Sequence, residues 1–291
     1  MIELAGGRNA LEGFTGYRPL TEGYAPMMTE SNHVTAPTCY RCPFGLSYPT
    51  CNLACAQDLE RALESLDPTT VAAFVLEPIG GASTGGIVPP DGYFERIHEI
   101  ADRHGILVIY DEVMTGAGRT GAFCAYQHWE PAARPDIVVL SKGLGAGYTP
   151  LGAVACRDDI AETVLDAGSF PHGFSYAGNP LSCAVGREVL AVLDDEDLVA
   201  RAATLGARLG EGLRDLAERH PMIGDVRGRG MLWGLEFVAD RDTREPYPFE
   251  AAIGQRATVL AAEEGLLIYP RRGGGGLSGD HVLVAPPLTI A

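Results

Sequence analysis

Lys142 is the only lysine in the 291-residue sequence, and every other basic residue among the 22 lysines and arginines is an arginine. It follows an apolar run at 137–140 and opens a glycine-rich loop. Arginine supplies charge, but its guanidinium stays protonated and forms no imine, whereas a desolvated lysine amine captures carbonyl carbons. An arginine-biased genome in which one lysine remained by chance is the alternative. The position of Lys142 favours a catalytic amine, because α/β enzymes place reactive groups at such strand ends.

Asp111 follows a second apolar run, at 106–110. If both runs are parallel strands, Asp111 and Lys142 lie at the edge where open α/β sheets bind ligands. A pyridoxal phosphate (PLP) enzyme needs an amine to hold the aldehyde as an imine. It also needs an acid to keep the pyridine nitrogen protonated, so that the ring accepts electrons. From these two residues alone, an ordinary ion pair between strand ends is an equally good interpretation.

The elements that must position these residues alternate along the chain. Apolar runs predict strands at 71–76, 106–110, 137–140 and 151–155, and amphipathic patterns predict helices at 93–104, 180–193 and 198–219. After residue 221 the pattern changes to a β-rich segment at 230–238, a helix at 251–264 and short strands at 266–269 and 282–285. We therefore predict an α/β fold with a mostly parallel central sheet and a smaller C-terminal α+β domain.

The predicted organisation has three parts. Residues 1–69 form an irregular N-terminal segment with a cysteine cluster, residues 70–220 the large domain, and residues 221–291 the small domain. The glycine run at 273–276 is expected to be a mobile loop.

Composition excludes several classes of protein. The formal net charge of −16 and a pI near 4.8 argue against a nucleic-acid surface, which requires clustered excess of lysine and arginine. No uninterrupted apolar stretch is long enough to cross a bilayer, and no basic leader precedes an apolar core at the N-terminus. We therefore predict a cytoplasmic protein that binds neither nucleic acid nor membrane.

A series of ordered motifs resembles the class III aminotransferases of PLP fold type I. The resemblance runs from about residue 70 to the C-terminus. Its motifs are EPI at 77–79, DEVMTGAGRTG at 111–121, RPDI at 134–137, SKG at 141–143, YAGNP at 176–180, GDH at 279–281 and APPL at 285–288.

The resemblance implies a role for individual residues. Lys142 corresponds to the Schiff-base lysine and Asp111 to the partner of the pyridine nitrogen. Val113 corresponds to a residue that packs on one face of the ring. Ser175 stands where the family usually has a threonine that reaches the cofactor phosphate of the neighbouring subunit. The resemblance also implies a homodimer or larger homo-oligomer.

The resemblance implies an aminotransferase that moves an amino group from a primary amine or ω-amino acid to a 2-oxo acid. A PLP decarboxylase or racemase is the nearest alternative. Family members usually carry a phosphate-binding turn and a stacking aromatic before the first motif, and a final helix after the last. None of these three features is recognisable in this sequence. We therefore expect weak cofactor binding, and a non-catalytic or weakly active truncated remnant that dimerises is a further alternative.

Other residues have open roles. Glu77 is either an acid in the site or a structural carboxylate, and Arg271 and Arg272 are either ligands of a substrate carboxylate or surface arginines. Four cysteines stand in two pairs, and paired cysteines suggest a tetrathiolate zinc site. The gap between the pairs is short for such a site, so we assign no metal and expect reduced thiols. These cysteines are Cys39, Cys42, Cys51 and Cys55.

Overall fold

The computed structural model of the protein describes residues 31–273 and 279–290. Part of the predicted N-terminal segment, residues 1–30, lies outside this range, as does most of the glycine run at 273–276. Among the described residues, no helix is both long enough and apolar enough to cross a lipid bilayer.

The first sheet has four strands in the order β1-β2-β3-β4. Strands β1, β2 and β3 are parallel, and β4 pairs with β3 in the antiparallel direction. Their apolar sequences suit burial between helices, which is the usual setting of parallel strands. The bounds are Ala73–Leu76 for β1, Leu107–Asp111 for β2, Ile137–Leu140 for β3 and Ala153–Cys156 for β4.

Six α-helices accompany the two sheets in the described part of the chain. Their bounds are Ala54–Ser65 for α1, Tyr93–His104 for α2, Asp158–Asp166 for α3, Pro180–Asp195 for α4, Leu198–Arg219 for α5 and Ile253–Glu263 for α6. Helix α2 buries Phe94, Ile97 and Ile100 and ends at Gly105, whose φ of 66° stops the helix. Its Phe94 ring lies 5.6 Å from the ring of Tyr110 on β2, so this helix covers the sheet.

The second sheet is antiparallel, with the order β5-β6-β9-β8 and β7 paired to β6. Helices α5 and α6 pack against it through an apolar cluster that includes Leu213, Ala257 and the buried Phe237. The bounds are Ile223–Arg229 for β5, Leu232–Asp240 for β6, Glu245–Pro246 for β7, Tyr269–Arg271 for β8 and His281–Val284 for β9. This α/β arrangement, with a mostly parallel sheet and a separate antiparallel sheet, confirms the predicted fold class.

Two helices were not predicted. Helix α1 lies in the segment that was expected to be irregular, and α3 follows β4 directly. Three residues of α1 face the core at helical spacing, namely Ala56, Leu59 and Leu63. This periodicity could have identified the helix.

The antiparallel strand β4 is exposed along its whole length. Val154 is 66% exposed, and the nearby Tyr148 and Phe170 are 83% and 67% exposed. Such a strand at the edge of a sheet offers both apolar side chains and backbone hydrogen-bonding groups to another polypeptide.

Candidate active site

Lys142 lies on a tight turn, and one residue, Ser141, separates it from the end of β3. The residue has a φ of 30°, and its side chain is exposed. The backbone of the turn is held by hydrogen bonds from Leu144 N to Ser141 O (2.9 Å) and from Gly145 N to Lys142 O (3.2 Å). A positive φ is unfavourable for a residue with a side chain, at about 1–3 kcal/mol, and such strain is concentrated at functional sites. The fold therefore holds the amine on a strained but well-supported turn.

Asp111 is the last residue of β2 and lies opposite Val139 of β3 in the parallel register. The residue is 8% exposed. Its Oδ1 accepts a hydrogen bond of 3.0 Å from the backbone N–H of Val113, which fixes the orientation of the carboxylate. Val113 itself is 5% exposed. The structure thus places Asp111, Val113 and Lys142 at the carboxyl ends of two neighbouring parallel strands.

The turns after β2 and β3 pack tightly against each other. A Cβ atom on Gly143 would lie 2.7 Å from the Cβ of Ala117, which is closer than side-chain carbons approach in proteins. Glycine at position 143 is therefore needed for the turn of Lys142 to lie against the loop that follows Asp111.

Glu77 joins these residues from the end of β1. Its Oε2 accepts a hydrogen bond of 2.9 Å from Gly81 N. Burial raises the pKa of Glu77 to about 6 despite the hydrogen bond from Gly81, which lowers it. The negative charge of Asp111 raises this pKa further, and the charge of Lys142 lowers it. Glu77, Asp111 and Lys142 thus stand at or just after the carboxyl ends of three adjacent parallel strands. The sequence left the role of Glu77 open, and the structure groups it with the predicted site.

Glu112, which sequence reasoning did not single out, is 1% exposed. Its carboxylate accepts hydrogen bonds from Thr115 Oγ1 and from Tyr126 N, the latter at 2.9 Å. Burial raises the pKa of this carboxyl despite those bonds. These contacts give Glu112 a role in holding the loop after β2.

Ser175 lies on an exposed turn before α4, between the exposed side chains of Phe174 and Tyr176. Ser175 therefore does not belong to the turns after β2 and β3 that carry Asp111 and Lys142. Its predicted contact with a phosphate held by a neighbouring subunit stays a prediction.

Arg272 is engaged within the second sheet region. Its Nη2 donates to the backbone carbonyl of Phe249, its guanidinium carbon lies 3.8 Å from the centroid of that ring, and its Nε lies 3.5 Å from Asp280 Oδ2. Arg271 lies over the ring of Tyr269. These contacts give both arginines a structural function, and binding of a substrate carboxylate stays a prediction.

The four paired cysteines line one small cavity of about 20 Å³, and all four are free thiols. Burial raises the pKa of Cys39, and it raises the pKa of Cys55 to about 11. Both thiols therefore stay protonated at neutral pH. Within residues 31–273 and 279–290, no group of three or more histidine, cysteine or acidic side chains is arranged to hold a metal ion.

Comparison with known proteins identifies the family of the chain. The class-III aminotransferase family matches residues 15–291. The chain is 42% identical over 238 residues to the uncharacterized aminotransferase YodT of Bacillus subtilis, covering 81% of this chain and 53% of that protein. It is 36% identical over 264 residues to a leucine/methionine racemase of Thermococcus litoralis, covering 90% of this chain and 56% of that protein.

Solved structures give the same result. A PLP-bound amine transaminase from an uncultivated Pseudomonas species superposes with a TM-score of 0.80 at 38% identity, covering 89% of this chain and 57% of that one. The chain thus spans about half the length of the curated relatives it matches. The matched residues include every motif on which the resemblance was based, and the chain belongs to the class-III aminotransferase family.

Proposed function

We propose that this chain forms the lysine-bearing part of a PLP-dependent aminotransferase. The proposed reaction moves an amino group from a primary amine or ω-amino acid to a 2-oxo acid. The observation that carries this proposal is the placement of Lys142 and Asp111 at the ends of adjacent parallel strands, inside the motifs of the matched family.

The residues at these strand ends fit the cofactor of the family. Class III aminotransferases use PLP, and a structural neighbour of this chain contains it. The edge offers an exposed amine on a rigid turn, a buried carboxylate of fixed orientation and a buried aliphatic side chain. This donor set matches a molecule that has an aldehyde, a basic ring nitrogen and an apolar ring face.

When bound, PLP supplies an aldehyde that captures amines and a pyridinium ring that accepts electrons. Lys142 would hold it covalently through Nζ. The same Nζ, when it is not bound to the cofactor, would accept and return a substrate proton as general base and acid. Asp111 would accept a hydrogen bond from the ring nitrogen and keep its proton in place. Val113 would pack on the ring, and Ser175 would donate to the phosphate bound by a partner copy.

The wider assignments rest on the family. We propose a homodimer or larger homo-oligomer in the cytoplasm that acts on small amines or amino acids and 2-oxo acids. Because the chain spans about half the length of its relatives, we expect it to bind PLP weakly and to transaminate poorly without the remaining portion. A truncated remnant that dimerises and has little or no activity, the alternative named from the sequence, would behave in the same way.

A racemase is the second candidate, since similarity to the leucine/methionine racemase covers 90% of this chain. The two reactions differ in where the proton returns. A racemase returns the proton to the α-carbon of the amino acid, whereas an aminotransferase releases the amino acid's carbon skeleton as a 2-oxo acid. Incubation of a chiral amino acid with PLP-loaded protein distinguishes them. Racemisation without oxo-acid release would support the second candidate and contradict the first.

Reduction with borohydride tests the attachment site. Because Lys142 is the only lysine, a reduced pyridoxyl group on a side-chain amine must map to the peptide that contains it. We expect one such group in the wild type and none on the same peptide of Lys142→Arg. The matched control is Arg157→Lys, which places a new exposed lysine after β4. Absence of a group at Lys142, or equal labelling at the control lysine, would refute the assignment.

A further inference from the structure

A short loop at 80–86 carries the backbone group that orients Glu77. Gly81 N donates to Glu77 Oε2 (2.9 Å), and the carbonyl of the same residue accepts from Gly85 N (2.9 Å). Gly80 N donates to Ile87 O at 2.8 Å, which closes the loop at its base. The position of the Glu77 carboxyl therefore depends on the conformation of the 80–86 loop.

Two side chains from the second sheet hold this loop by its carbonyl groups. Arg227 of β5 donates from Nε to Gly85 O (2.9 Å) and from Nη2 to Thr84 O (2.8 Å). His281 of β9 lies with Nε2 3.0 Å from Ala82 O and is fully buried. Three carbonyls of one seven-residue loop are thus bound by residues from more than 140 positions away in the sequence.

Arg227 is itself held by two carboxylates, the buried Glu236 and the partly exposed Asp225. Its Nη1 lies 2.7 Å from Glu236 Oε2 and 2.8 Å from Asp225 Oδ2. The other oxygen of Glu236 binds Arg41 Nε (2.5 Å) and Gly279 N (2.9 Å). Burial opposes ionisation of Glu236, but Arg227 and these donors outweigh it and lower the pKa of that carboxyl. Glu236 is therefore a buried charge with partners at both of its oxygens, and such a charge is costly to displace.

The loop also lies in direct contact with the second sheet. A Cβ on Gly234 of β6 would lie 1.9 Å from Gly85 O, and a Cβ on Gly85 would lie 2.6 Å from His281 Cδ2. The backbone of Gly85 therefore lies directly against that of Gly234 and against the His281 ring. A change in the position of β6 or β9 must therefore move the loop as well.

We propose that Arg227 and His281 are positioning residues that hold the Glu77 carboxyl beside Asp111 and Lys142 through the 80–86 loop. This inference rests on the proposed function in so far as these three groups form an active site. Neither Arg227 nor His281 contacts the carboxyl directly. Through these two residues, the second sheet controls how much water reaches Glu77 at the end of β1.

The test measures the titration of Glu77 in the chain without PLP, so its result is independent of whether Lys142 binds the cofactor. Side-chain carboxyl signals of ¹³C-labelled glutamate are followed by NMR, and Glu77→Gln identifies the relevant signal. In the wild type we expect a pKa of about 6. Arg227→Lys keeps a positive charge facing Glu236 but loses the guanidinium fork that binds two carbonyls. A released loop admits more water to Glu77, which lowers its pKa, and it also loosens the Gly81 N–H bond, whose loss raises the pKa. Because burial is the larger of the two effects, we expect the pKa to fall toward the ordinary 4.5.

Arg241→Lys is the matched control, since Arg241 also donates to several backbone carbonyls, namely those of Ala217, His220 and Ile223, but not to the loop. It should leave the titration of Glu77 unchanged. His281→Gln removes a single loop contact and provides the test if Arg227→Lys does not fold. It should shift the pKa in the same direction. An unchanged pKa in a folded Arg227→Lys or His281→Gln variant, or an ordinary pKa in the wild type, would overturn the proposal.

Discussion

Replacement of Lys142 by glycine should reveal how much the strained backbone at this position lowers the free energy of unfolding. The residue has a φ of 30° and an exposed side chain. Removal of the side chain therefore costs little packing, and the backbone conformation dominates the change in free energy of unfolding. Lys142→Ala keeps a Cβ in the left-handed region, whereas Lys142→Gly removes it. The comparison of these two variants isolates the backbone strain.

The expected magnitude follows from two opposing effects. A left-handed conformation costs a residue with a Cβ about 1–2 kcal/mol, which glycine avoids. Glycine also has greater conformational freedom in the unfolded chain, which costs about 0.4–1 kcal/mol. The strain term is larger, so Lys142→Gly should be more stable than Lys142→Ala by about 0.5–1 kcal/mol. In a chain of this size, that corresponds to roughly 2 °C in Tm.

Urea unfolding followed by circular dichroism gives the required free energies. The matched control is Ala207→Gly at an exposed position inside α5. There the same exchange of alanine for glycine should destabilise by about 1 kcal/mol, because the helical φ is negative. If Lys142→Gly is less stable than Lys142→Ala by as much as the control is destabilised, the backbone at Lys142 is not strained in solution.

Further predictions concern the site and the exposed surfaces. Asp111→Asn should keep the borohydride-trappable group but slow single-turnover amino transfer strongly, because an amide does not hold the ring nitrogen protonated; wild-type rates would contradict its role. The raised pKa of Glu77 means that the folded chain binds the extra proton, so stability should fall as pH rises from about 4.5 to 6. Glu77→Gln should remove this slope in unfolding experiments, and an unchanged slope would contradict it. Purified protein should contain no stoichiometric zinc by elemental analysis, with reactive thiols at Cys39 to Cys55 once unfolded; one tightly bound equivalent would contradict the assignment of no metal. The exposed apolar side chains around β4 should bind a hydrophobic dye and promote association, and a dye-negative monomer in sedimentation experiments would contradict this.

The strands that carry the site could be predicted from sequence because their signals are local. The apolar runs before Asp111 and Lys142 correspond to β2 and β3 almost residue by residue. Helix α2 was predicted because a periodic apolar face ends at a glycine. The direction of β4 was not specified by its sequence, since an apolar run has the same pattern in parallel and antiparallel pairing.

The contacts of Glu77 could not be predicted, because they depend on residues distant in the sequence. Its neighbours Asp111 and Lys142 come from other strands, and the loop that orients it is held by Arg227 and His281. A short strand was predicted at 266–269, but the observed strand starts three residues later, at Tyr269. Leu266 and Leu267 are exposed, so their apolar character does not reflect pairing in the described part of the chain.

The ion pair between Arg41 and Glu236 has a consequence for the order in which the protein folds during synthesis. These partners are separated by 195 positions. At typical elongation rates of about 5–20 residues per second, roughly 10–40 s pass between translation of the two residues. The parallel strands β1 to β3 and helix α2 can assemble from neighbouring segments in this interval. The segment around Arg41 must wait for the second sheet, so on the ribosome it is among the last described parts of the chain to reach its native contacts.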